Sequence, residues 1–210
     1  AAVYSGARGT TAARDNPMIA VYTPAAKPIT IDLYQQMGEK GLLTRDDRVQ
    51  LIEGEILEMA PIGTRHGSVT GRLDRWLNRA VGDAAIVRLG GPVNLGKYSQ
   101  PQPDLMLLQP RADDYVASHP GREDVLLLVE VSDSTLEFDQ GRKRALYARF
   151  AVPEYWVIDV NSRSIQVYSG PADGEFRSAV EYRLQDTISP RAFPQVRTAV
   201  KELFVDPDQR

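Results

Sequence analysis

Val125-Leu126-Leu127-Leu128-Val129-Glu130-Val131-Ser132 is an apolar run interrupted by one carboxylate before its closing serine. Its length suits a strand, and its lack of alternation suits a strand covered on both faces. An ionised carboxylate buried there without a partner costs several kcal/mol in order of magnitude. Upstream, Pro103-Asp104-Leu105-Met106-Leu107-Leu108 places a second acid at the head of another apolar strand. Two carboxylates on strands that pair call for a shared partner, and a hard divalent cation such as Mg²⁺, or Mn²⁺ in its place, is the simplest one.

Reading outward, the chain alternates helical and extended signals. Thr30 can cap a helix whose apolar face is Leu33, Tyr34 and Met37, ending near Gly38 or Gly41. Residues 49–59 read as a β-hairpin turning at Glu53-Gly54. A helix follows over about 65–81, with Val69, Leu73, Trp76, Leu77 and Ala80 at helical spacing and Gly82 ending it. Short strands are expected at 84–89, 92–95 and 103–108, then a surface loop over 109–124 carrying His119 and Pro120. Residues 139–150 read as a helix, 154–160 as a strand, and Asn161-Ser162-Arg163 as the turn into 164–168. The remainder to Val205 reads as irregular β structure. This order implies a mixed α/β chain around one mixed sheet, with a helix joining 125–132 to 154–160 and an N-terminal helix-plus-hairpin extension.

The chain has 210 residues, enough for one domain with a real core, placed at 18–205. Residues 1–17 are small, polar and aperiodic; with no apolar stretch they fit a flexible tail better than a secretory signal, and Met18 is the expected start. Residues 206–210 form a polar C-terminal tail. The absence of cysteine excludes disulfides and thiolate zinc sites, and with only His66 and His119 an imidazole zinc enzyme is disfavoured. No apolar run reaches the roughly 20 residues of a membrane span, and a cytoplasmic location is expected. A net charge of −3 means that attraction to nucleic acid must come from a local basic patch.

Lys143 lies thirteen residues after Glu130, and Asp139, Lys143 and Tyr147 share one helical face by spacing. If that face overlooks the strand ends, the ammonium can reach a phosphate oxygen or a metal-bound water, positioning or activating the water. Arg142, Arg144 and Arg149 are then candidates for backbone phosphates. Glu53, Glu55 and His66 are supporting candidates, with exposed turn charges and a helix-start hydrogen bond as their structural alternatives. Tyr147 and Trp156 read as core, and Asp159 as a strand-closing residue.

Together, Pro103-Asp104, then Val129-Glu130-Val131-Ser132-Asp133-Ser134-Thr135, Asp139, Lys143, Tyr147-Ala148 and Val152-Pro153-Glu154-Tyr155-Trp156-Val157-Ile158-Asp159 resemble the Uma family of restriction-type endonucleases, within the PD-(D/E)XK superfamily. Leu51-Ile52-Glu53-Gly54-Glu55-Ile56, Met59-Ala60-Pro61 and Arg65-His66 extend the likeness, which covers about 28–170. The resemblance implies a restriction-endonuclease-like core and Mg²⁺-dependent hydrolysis of DNA. It makes Asp104 and Glu130 the metal ligands, and pairing of two sites in a homodimer follows by analogy.

Two departures stand out. Ser132 occupies the superfamily's lysine position, so Lys143 inherits that role from the following helix. Gln50 stands where many relatives have glutamate, which weakens the site and keeps open a catalytically weak protein that binds nucleic acid or a protein partner. The lack of a long basic stretch leaves room for a different phosphoester substrate. Other hydrolase signatures are missing: there is no Gly-x-Ser-x-Gly elbow and no phosphate loop.

Overall fold

The computed structural model describes residues 27–205; the expected tails at 1–17 and 206–210, and Met18, lie outside the described residues. Thr30 caps α1 (Ile31–Glu39), its hydroxyl accepting from the Leu33 amide at 3.2 Å. The packed face keeps Tyr34 and Met37 of the expected one and takes Ile31 in place of Leu33. Ile31 is buried, Tyr34 and Met37 are half-buried, and Leu33 is 48% exposed. The Tyr34 hydroxyl donates to the Val49 carbonyl at 2.9 Å, tying the helix to the first strand of the hairpin that follows.

β1 (Val49–Ile52) and β2 (Glu55–Glu58) form the expected hairpin. Glu53 and Gly54 both have positive φ (54° and 83°), the mirror-image two-residue turn that matches strand twist. α2 (Thr64–Val81) buries Val69, Leu73, Leu77 and Val81 at i, i+4 spacing, leaves Ala80 exposed, and stops at Gly82.

The main sheet runs in the spatial order β3 (Ile86–Leu89), β4 (Leu105–Leu108), β5 (Val125–Ser132), β6 (Glu154–Asp159), β7 (Ser164–Ala172), β8 (Glu175–Tyr182). Every neighbouring pair is antiparallel except β5 and β6. A parallel pair needs a crossover, and a helical run supplies it: α3 (Leu136–Phe138), a π turn at Asp139–Lys143, and α4 (Arg144–Arg149). β9 (Thr187–Ile188) and β10 (Thr198–Ala199) form a small separate ladder.

Two expectations change. Residues 92–95 make only isolated bridges, Asn94 to Gly121 and Leu95 to Ser99. The stretch read as irregular contains β8, an eight-residue edge strand. It is exposed along most of its length, so no buried face imposes an apolar alternation to read.

Side chains alternate across the sheet and build two cores. Leu105, Leu107, Leu127, Val129, Val131 and Trp156 pack under α2. Met106, Leu128, Tyr155 and Val157 pack with Leu146 and Tyr147 of α4 on the opposite face. β5 is therefore covered on both sides. Among the described residues no helix is long and apolar enough to cross a membrane.

The hairpin turn is also a docking point. A Cβ on Gly54 would fall 2.4 Å from Pro28 Cβ, and the Gly54 amide donates to the Tyr98 carbonyl at 2.7 Å. Gly54→Ala would meet both left-handed strain, about 1–2 kcal/mol, and this overlap. The expected outcome is a loss of at least that much stability in denaturant unfolding; an unchanged midpoint would contradict the packing described.

Candidate active site

The register places Leu105 opposite Val129 and Met106 opposite Leu128. One step before β4, Asp104 therefore comes beside Glu130, on the sheet face that α4 covers. Strand pairing thus brings the two carboxylates together.

Glu130 is buried, and its Oε1 meets two donors: the Tyr147 hydroxyl at 2.8 Å and Lys143 Nζ at 2.8 Å. Burial raises the Glu130 carboxyl to about 8, against the Lys143 charge; Asp139 and Asp104 add to the rise. Lys143 is equally buried. Burial pushes its ammonium down, but Glu130, Asp139 and Asp104 outweigh this and carry it above the usual lysine range. Lys143 is therefore held as a cation, suited to stabilising negative charge and not to accepting a proton.

Asp139, Lys143 and Tyr147, four residues apart, lie on one side of the crossover, which winds as a π turn over Asp139–Lys143 and as an α-helix after it, and the three meet the end of β5. Asp139 Oδ2 accepts from the Ser132 hydroxyl at 2.7 Å and the Thr135 hydroxyl at 2.6 Å, while Oδ1 lies 3.7 Å from Lys143 Nζ. Ser132 thus fixes Asp139, which flanks the lysine on the helix.

Asp104 Oδ2 accepts the Val131 amide at 2.7 Å and Oδ1 lies 3.0 Å from His66 Nε2. His66 comes from the first turn of α2, so the second helix also reaches the site. Gln50, buried in β1, accepts weakly from the Gln102 amide at 3.4 Å. Gln50, His66, Asp104, Glu130, Asp139 and Lys143 line one cleft of about 590 Å³. An adjoining groove of about 920 Å³ shares His66 and Asp104 and continues past Gly90 and Gly91 to His119.

The other expected residues go elsewhere. Arg142 binds Glu53 at 3.1 Å and Glu55 at 2.7 Å, and Arg149 binds Glu53 at 2.7 Å. The Arg149 guanidinium, with Arg142 beside it, holds the Glu53 carboxyl below its ordinary range. These four side chains clamp the β1–β2 hairpin to the crossover helix. Arg144 lies over the Tyr168 ring at 5.6 Å. None of Glu53, Glu55, Arg142, Arg144 and Arg149 lines this cleft, and Arg142, Arg144 and Arg149 each make a contact within the chain. Asp159 is structural as expected, accepting the Asn161 and Ser162 amides of the β6–β7 turn. Sequence reasoning did not nominate Asp139 or Tyr147 for the site. Their shared helical face was the available signal.

The family model described as "putative restriction endonuclease" matches residues 31–201. The chain belongs to the Uma2 family. A solved structure, titled a "putative nuclease belonging to DUF820" from Anabaena variabilis ATCC 29413, superposes with a TM-score of 0.68 at 16% identity, covering 84% of this chain and 98% of the other. No curated protein matches the chain. The Uma2 membership and this likeness agree with a restriction-endonuclease-like fold.

The raised Glu130 carboxyl makes a pH prediction for this Uma2 chain. Because the fold binds the proton more tightly than the unfolded chain, the stability this group lends is fully present below about 4.5 and is lost as pH rises through about 8. Without added divalent cation, the parent should lose more stability between those limits than Glu130→Gln, measured by urea unfolding. Parallel pH profiles would remove Glu130 as the titrating group.

Proposed function

We propose that the chain is a divalent-cation-dependent nuclease that hydrolyses DNA phosphodiester bonds at the Asp104–Glu130–Lys143 cleft. One observation carries the reading: two carboxylates from adjacent strands share a cleft with a buried ammonium 2.8 Å from one of them. Uma2 membership gives the reaction class its context.

The donor set fits a hard cation shared with substrate. Among the described residues no group of three or more His, Asp or Glu side chains is placed to cage a metal. Mg²⁺ commonly takes only one or two carboxylates, completing its shell with water and substrate phosphate. Asp104 and Glu130 would hold it; both known contacts to Glu130 fall on Oε1, and a carboxylate has lone pairs beyond those used here. When bound, the cation polarises the phosphodiester and lowers the pKa of a bound water.

The chain's own residues supply the rest. Lys143, kept cationic by its acidic neighbours, faces the negative charge that grows on the phosphoryl oxygens. Asp139 and Tyr147 fix the Lys143–Glu130 pair, and His66 orients Asp104. Dimerisation would bring two such clefts to one duplex.

Asp104→Ala, Glu130→Ala and Lys143→Ala should each lower Mg²⁺- or Mn²⁺-dependent DNA cleavage by at least about 100-fold, with folding checked by circular dichroism. Variants that cut like the parent would displace the site from this cleft.

A second reading rests on Gln50, a neutral amide buried in the cleft wall. A chain that binds nucleic acid or a protein partner without efficient cutting is the outcome if the site is short of negative charge. Gln50→Glu discriminates: a nuclease with a weakened metal site should gain Mg²⁺ affinity and rate. DNA binding with no cleavage by parent or Gln50→Glu would favour the binding module.

A further inference from the structure

α2 carries four arginines on one flank. Arg65, Arg72, Arg75 and Arg79 fall within about 80° of one another around the helix axis. Val69, Leu73 and Leu77 face the core, and His66, on the same side of the helix in its first turn, reaches the cleft. Arg65, Arg75 and Arg79 are exposed; Arg72 is half-buried and donates to the Glu202 carbonyl at 3.0 Å. Among the described residues none of the four lies within salt-bridge distance of a carboxylate. Arg111, Arg142, Arg149, Arg177 and Arg183 all do. The α2 flank thus gathers, among the described residues, four arginines without a carboxylate partner on one side of one helix, in a chain of net charge −3.

The flank also has a floor and a direction. Arg72, Arg75, Trp76, Arg79, Ala80 and Glu202 line a shallow depression of about 350 Å³, with Trp76 half-buried and stacked on Trp156. Glu202 is the acidic group at its margin; Asp74 is engaged with Asn78. The start of α2 forms part of the cleft rim: Ile62 and His66 line the cleft, and Gly63 packs against the Asp133 carboxylate. Arg65 therefore stands at the cleft end, and Arg79 lies about 21 Å further along the helix.

We infer that this flank is a phosphate track, along which the backbone of a DNA duplex lies as it leaves the Asp104–Glu130 cleft. The inference rests on the nuclease reading and adds to it the surface that holds flanking DNA. It gives the protein the local basic patch that its overall charge denies it, in place of the arginines that clamp the hairpin. Guanidinium groups suit phosphate oxygens through paired N–H donors. Spread over about 21 Å they can meet several charges of a duplex, which carries one per ~1.7 Å.

The test is binding of a short fluorescein-labelled duplex, by anisotropy across salt concentration without divalent cation, so that binding is read apart from cleavage. The parent is compared with the triple variant Arg65→Gln/Arg75→Gln/Arg79→Gln and with the triple lysine variant. Each lost phosphate contact lowers the slope of log K against log salt by about 0.9, so the glutamine variant should lose about 2.7 and bind at least about tenfold more weakly. The lysine variant should keep the slope. Trp76 gives a second reading, since Trp156 is fully buried and the chain has two tryptophans. Duplex should perturb tryptophan emission in the parent and much less in the glutamine variant. An unchanged slope in a folded glutamine variant, with the parent binding and cutting DNA, would overturn the track and leave the nuclease reading standing. A parent that neither binds nor cuts DNA would overturn both.

Discussion

Glu130 has to be met by positive charge and hydrogen-bond donors, because it sits buried on a central strand with apolar layers on both faces. The β5–β6 pair is parallel, so the chain must cross over between its two strands. That crossover is the helix that carries Lys143 and Tyr147 to Glu130. Topology and electrostatics are solved by the same segment. Breaking such a buried pair by removing one partner typically costs about 3–5 kcal/mol, so the arrangement that serves the cleft also constrains how the helix can pack.

The same helix is clamped on its other side. Arg142 and Arg149 reach Glu53 and Glu55 across the hairpin turn. β1 in turn presents Gln50 to the cleft, and the Gln100 amide donates to the Leu51 carbonyl at 2.7 Å. The hairpin is thus a wall of the site, held by ion pairs at its tip. Glu53 and Glu55 hold that wall through their ion pairs with Arg142 and Arg149. Arginine on a helix beside a carboxylate cluster suggests phosphate binding, but proximity along the chain does not reveal a partner roughly ninety residues upstream.

Legibility follows from how far each feature depends on distant chain. β5, the β1–β2 hairpin and α2 were readable because local pattern determines them: a continuous apolar run, a Glu-Gly turn, and apolar residues four apart. The meeting of Asp104 and Glu130 followed from carboxylates set in apolar strands, and the approach of Lys143 to Glu130 from its spacing on the following helix. β8 was not, since an exposed edge strand leaves little hydrophobic alternation. Nor was the π turn, because the spacing of residues 139–150 reads equally as an ordinary α-helix. On α1, Tyr34 and Met37 of the expected face are half-buried, with Tyr34 held to Val49, and only Leu33 points away.

Moving the lysine from the strand to the helix has a consequence for charge. With Ser132 on the strand, Asp139 gains two hydroxyl donors and stands as a third carboxylate near the ammonium. Asp104, Glu130 and Asp139 against Lys143 leave two formal negative charges when all are ionised, which a single divalent cation would neutralise. A glutamate at position 50 would raise that excess to three, and Gln50 keeps it at two. With a neutral amide at position 50, the three acids, Lys143 and one divalent cation would sum to zero formal charge, which is the balance the proposed site requires.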